Sequence, residues 1–95
     1  MGVYLYSEDG ELGQIASVGG YDEMIAVATK LKHRYPELYQ FCETGRTRNP
    51  RAVQLNIRQM LRREGRGVDK HMQSSFQGLA EKLGKAKEVA IASED

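Results

Sequence analysis

Ninety-five residues, 40% apolar and 28% charged, with 14 Lys and Arg against 13 Asp and Glu, describe a single small domain over 1–95 and exclude a disordered chain. No apolar run approaches the roughly 18–20 residues of a membrane span. One Cys and two His exclude a disulfide framework and a closed Cys/His zinc site. No basic stretch precedes the first apolar residues, so the expectation is a cytoplasmic protein, off the membrane, with no cofactor and no metal.

The chain opens with two strands, residues 3–7 and 12–18, joined by Glu8, Asp9, Gly10 and Glu11, whose turn chemistry predicts a β-hairpin. Gly19 and Gly20 then break the strand. Over 21–34 the apolar residues Met24, Ile25, Val27, Ala28 and Leu31 share one helical face, and Pro36 disfavours helix at Tyr35. Pro36 opens a short second helix, 36–43, which Gly45 closes. Asn49 followed by Pro50 is a cap with proline at the first helical position, opening a third helix over 50–64. Asp69 caps a fourth helix, 69–83, with Met72, Phe76, Leu79 and Leu83 in a stripe. Residues 87–93 alternate enough for a third strand, and Glu94 and Asp95 are a tail.

The predicted fold is therefore α+β, order ββααααβ. A three-stranded sheet, made of the hairpin plus the C-terminal strand, packs on one face against three to four helices. Val3, Leu5, Ile15, Val89 and Ile91 point into a core that is mostly aliphatic, since the chain has no Trp and two Phe. Tyr4, Tyr6, Ala90 and Ala92 point the other way.

Charge is strongly segregated. Residues 1–23 carry Glu8, Asp9, Glu11, Asp22 and Glu23 and neither Lys nor Arg. Residues 46–70 carry Arg46, Arg48, Arg51, Arg58, Arg62, Arg63, Arg66 and Lys70 against Glu64 and Asp69. At 100° per residue, Arg51, Leu55, Arg58 and Arg62 fall within about 60° of one another. They form one ridge of the third helix, while Val53, Ile57, Met60 and Leu61 form its core face and Arg63 lies between. Arg rather than Lys dominates, and its planar fork matches phosphate or carboxylate two bonds at a time. The ridge and its flanks read as a phosphate-contacting footprint, with Gln54, Asn56 and Gln59 the available base-reading side chains. The plainer alternative is a solvated face, or one paired with the hairpin acids.

Tyr4 and Tyr6 share the open face of the sheet, where two rings serve as a dimer surface beside the small Ala90 and Ala92, as a base-stacking platform, or as an edge covered by loops. His33 and His71 read as surface residues of basic helices.

Residues 42–48 combine Cys42, Gly45 and, six residues after the cysteine, Arg48, followed by a helix start. The spacing resembles the phosphate loop of the cysteine-dependent phosphatases. That resemblance implies a Cys42 thiolate nucleophile and an Arg48 clamp on phosphate oxygens. The segment departs from the pattern where residues 36–41 read as helix rather than strand, and where Asn49 follows the arginine.

The leading expectation is a small non-catalytic binding protein whose Arg-rich helix contacts the phosphates of DNA or RNA. The second is a protein-interaction module: a regulator or inhibitor docking through its acidic hairpin or basic ridge on a partner such as an acidic protein, or a homodimer.

Overall fold

The computed structural model describes residues 1–94. Its elements are β1 (Gly2–Ser7), β2 (Gly10–Ala16), α1 (Val18–Lys30), α2 (Pro36–Thr44), β3 (Arg46–Thr47), α3 (Pro50–Glu64), α4 (Lys70–Leu83) and β4 (Val89–Glu94). A 3₁₀ turn over Gly65–Gly67 links α3 to α4. The class is α+β, as expected. The sheet, however, has four strands in the antiparallel order β2-β1-β4-β3, so the chain runs ββααβααβ rather than ββααααβ.

The extra strand is local in origin. Gly45 ends α2 in the left-handed region, φ 75, with its N–H donating to the Phe41 carbonyl at 2.8 Å. A Cβ disfavours that conformation, so glycine turns the chain out of the helix there. Arg46 and Thr47 then lie along β4 opposite Ala90 and Val89. Two residues have no periodicity to reveal a strand beforehand.

The N-terminal hairpin forms as expected, with β2 running over 10–16 rather than 12–18. Ser7 Oγ organises its tip: it donates to the Gly10 carbonyl at 3.2 Å and accepts the Asp9 N–H at 3.1 Å. Gly19 and Gly20 do not break the chain but lie in the first turn of α1. Ser17 is the cap, its side chain accepting the Gly20 N–H at 3.0 Å. The cap offsets the low helix propensity of two glycines. At its other end α1 stops at Lys30, and 31–34 form a turn that delivers Tyr35 into the core.

The boundaries of α3 match expectation, with the Asn49 side chain accepting the Ala52 N–H at 3.3 Å. Asp69 caps α4, its Oδ1 accepting from His71 N at 2.7 Å and Met72 N at 3.2 Å. Glu94 belongs to β4 rather than to a tail, and Asp95 lies outside the described residues.

Helices cover one face of the sheet. Val3, Leu5, Ile15 and Val89 meet Met24, Leu38, Ile57, Met60, Met72, Leu79 and Leu83 in one continuous core. Ile91 is half-buried and packs against the border of this core. Tyr35, Phe41 and Phe76 are the largest buried side chains, so aromatic bulk fills the centre of a mainly aliphatic core. α3 packs against α2 on one side and α4 on the other. Among the described residues, no helix is long and apolar enough to cross a membrane.

Candidate functional site: an arginine groove between two helices

The apolar face of α3 buries Val53, Ile57 and Met60, and helical geometry then fixes what the opposite face presents. Arg51, Leu55, Arg58 and Arg62 are all exposed along that ridge. Leu55 is 56% exposed, one of two large apolar side chains left open to solvent among the described residues.

Where α3 meets α4, the ridge becomes the wall of a groove. A cavity of about 430 Å³ is lined by Arg58, Leu61 and Arg62 from α3 and by Gln77, Ala80 and Glu81 from α4. It adjoins a second, of about 600 Å³, lined by Leu61, Arg62, Arg63, Gly65, Arg66 and Gln73. Leu61 and Arg62 belong to both, so the two are adjacent and together bear four guanidinium groups and one carboxylate, Glu81. Three hydrogen bonds hold the walls of the groove, two at one end and one at the other. Gln73 Nε2 donates to the carbonyls of Gly65 at 2.6 Å and Val68 at 2.7 Å, tying the 3₁₀ turn and Arg66 to α4. Gln54 Nε2 donates to the Ala80 carbonyl at 2.7 Å, fixing α3 against α4.

These bonds bear on base reading. Gln54 is engaged inside the fold, and Asn56 accepts the Leu38 N–H at 3.2 Å. Of the three expected base-reading side chains only Gln59 has no such structural bond among the described residues.

Among the described residues there are two ion pairs. Arg34 meets Glu64 at 2.8 Å and Arg48 meets Glu88 at 3.8 Å. Arg51, Arg58, Arg62, Arg63, Arg66 and Lys70 therefore have no carboxylate of a described residue within 4.0 Å. One of the hairpin acids, Glu8, is engaged elsewhere. Glu8 clamps the entry to β4, accepting the N–H groups of Lys87 at 3.3 Å and Glu88 at 3.2 Å. Its own amide, with that of Lys87, holds its carboxyl below the usual range.

Glu64, at the end of α3, lies outside the groove and lines a separate cavity with Lys30 and Leu31 of the α1 side. Besides Arg34 it accepts the Tyr35 hydroxyl at 3.1 Å, and Arg34 holds its carboxyl below the usual range. Burial, then Glu64, pushes the Tyr35 hydroxyl up, with Arg63 alongside pulling the other way. No sequence pattern announced this network. The one hint was an acid at a helix C-terminus, where the dipole disfavours it unless a cation stands nearby.

The eight cations singled out in the sequence do not form one site. Arg58, Arg62, Arg63 and Arg66 share the groove, while Arg51 continues the ridge toward the start of α3. Lys70 is exposed at the start of α4. Arg46 is a strand residue on the open face of the sheet. Arg48 pairs with Glu88 beside the hairpin end of the molecule, about 20 Å along α3 from Arg62. The α4 wall, with Gln77 and Glu81, carried no signal because only packing brings it to α3.

Tyr4 and Tyr6 stand half-buried on the uncovered sheet face, opposite Ala92 and Ala90. The Glu94 carboxylate beside the Tyr6 hydroxyl pushes that group up to about 12.

Cys42 lies in α2, buried among core residues, with its carbonyl accepting the Tyr21 hydroxyl at 3.2 Å. Burial, then Glu43, pushes its thiol up to about 12. The neighbouring cavity of about 280 Å³ is lined by Phe41, Thr44, Arg46, Thr47 and Asn49, without Cys42 or Arg48. Residues 42–48 fold as a helix end followed by a strand, with the Arg48 side chain 92% exposed. No cluster of three His, Cys, Asp or Glu suited to a metal occurs among the described residues.

Comparison with known proteins matches the chain to no family model, no curated relative and no solved structure.

Proposed function

We propose that the protein is a non-catalytic binder of nucleic-acid phosphates, and that DNA or RNA lies along the groove between α3 and α4. The observation that carries this reading is a groove lined by Arg58, Arg62, Arg63 and Arg66, none paired with a carboxylate of a described residue. Guanidinium groups clustered along one groove, without a carboxylate partner among the described residues, attract phosphates and release the counterions these hold. With Gln54 and Asn56 bonded internally, contact is to the backbone and base readout is slight.

The test is a fluorescence titration with labelled duplex DNA, single-stranded DNA and RNA at several salt concentrations. Four phosphate contacts give a slope of log K against log salt of about −3 to −4, and Arg58→Ala/Arg62→Ala reduces it by about 2. Absence of binding to all three at low salt would refute the reading.

A second reading has its own observation. Leu55, 56% exposed between Arg51 and Arg58, is the arrangement of an apolar anchor with a charged rim, which suits an acidic protein partner. Leu55→Ser separates the two: it leaves phosphate binding intact and weakens capture of an acidic polypeptide.

A further inference from the structure

The uncovered sheet face carries a pattern that the arginine groove does not use. Register places Glu11 opposite Tyr6, Tyr6 opposite Ala90, and Ala90 opposite Arg46. These four residues therefore form one row across β2, β1, β4 and β3, reading acid, aromatic, small, base. The next row repeats its centre, with Gln14 opposite Tyr4 and Tyr4 opposite Ala92. Glu11, Ala90, Ala92 and Arg46 are exposed.

Such a row is complementary to itself. A second copy turned by a two-fold axis parallel to the strands, between β1 and β4, lays β1 over β4 and β2 over β3. Each tyrosine then stands over an alanine of the partner, and each Glu11 over an Arg46. A two-fold axis running across the strands instead lays β1 on β1 and β3 on β3, opposing tyrosine to tyrosine and arginine to arginine. Charge and volume thus select one arrangement of the two. We propose that the open face of the sheet is a homodimer surface, in which two copies stack through Tyr4, Tyr6, Ala90 and Ala92 with Glu11 and Arg46 at the rim.

A further observation, the charge of this face, fits a second copy better than a nucleic acid. Glu11 and Glu94 outnumber Arg46 on this face, which repels a phosphate backbone. A face at most about 19 Å wide and about 20 Å long falls below the size of stable specific interfaces and fits a weak, transient contact. The dimer should therefore come apart on dilution. Because the helices lie behind the sheet, both arginine grooves stay open in it.

Sedimentation equilibrium of the full chain between about 10 μM and about 1 mM tests this. The expected result is a monomer–dimer equilibrium for the wild type and a monomer for Ala92→Arg at an exposed, tolerant position. Glu11→Arg and Arg46→Glu are each expected to be monomeric, since each places like charges at both ends of the row. An equimolar mixture of these two variants opposes unlike charges again and should restore the dimer. Circular dichroism checks that each variant is folded, and the mixing experiment decides the matter should Ala92→Arg fold poorly. A wild type that stays monomeric throughout, a dimer that survives both charge variants, or a mixture that stays monomeric would overturn the proposal.

Discussion

At Cys42, surroundings outweigh chemical type. The thiol sits in the core beside Glu43, and both effects disfavour the thiolate, pushing its titration up to about 12. At pH 8, Ellman's reagent should react with the native chain at least about 100-fold more slowly than with the urea-unfolded chain. An activated thiol of the phosphatase kind would show the opposite order. Glu64 is perturbed in the other sense. Arg34 holds its folded titration below the ordinary value of 4.5, so the stability it contributes is complete above that pH and lost as pH falls through the depressed value. Glu64→Gln should lower Tm at pH 7, and the gap to wild type should close in acid. A gap of equal size at pH 3 would mean that packing, rather than the Arg34 pair, explains the loss.

Element boundaries rest on a few caps and glycines. Gly45 at φ 75 ends α2 and aims β3 at β4, so Gly45→Ala places a Cβ in a disfavoured conformation. Urea denaturation should find it destabilised by about 1 kcal/mol. Gly19 is the opposite case. It lies in the first turn of α1, and a Cβ there meets nothing within 4 Å. Gly19→Ala should raise stability by about 0.5 kcal/mol in the same assay, a gain that a turn at this position would not allow. The difference lies in Ser17: with a side-chain cap in place, two glycines extend a helix that they would otherwise interrupt.

Across the whole molecule, the basic residues divide according to their neighbours. Arg46 and Arg48 stand at the hairpin end, on the open sheet face and against Glu88, whereas Arg58, Arg62, Arg63 and Arg66 line the groove. If phosphates lie in that groove, Arg46→Ala/Arg48→Ala should change nucleic-acid affinity less than about twofold. Arg62→Ala/Arg66→Ala should weaken it about tenfold or more near 0.1 M salt. Equal losses from both pairs, read by the same titration, would point to diffuse attraction by the basic segment instead of a bound path.

Helices α2, α3 and α4, the hairpin and the buried Val3, Leu5 and Val89 were legible in the chain itself. They depend on contacts within a turn or two, or on alternation along one strand, and those are properties of neighbouring residues. The ridge of Arg51, Leu55, Arg58 and Arg62 was legible for the same reason. Tertiary structure decided what these parts meet. It set β3 against β4, brought Gln77 and Glu81 across from Arg58 and Arg62, joined Arg34 and Tyr35 to Glu64, and aligned Glu11, Tyr6, Ala90 and Arg46 in one row. Each of these unites residues far apart in the chain, whose approach follows from filling one common core and leaves no periodic trace in the sequence.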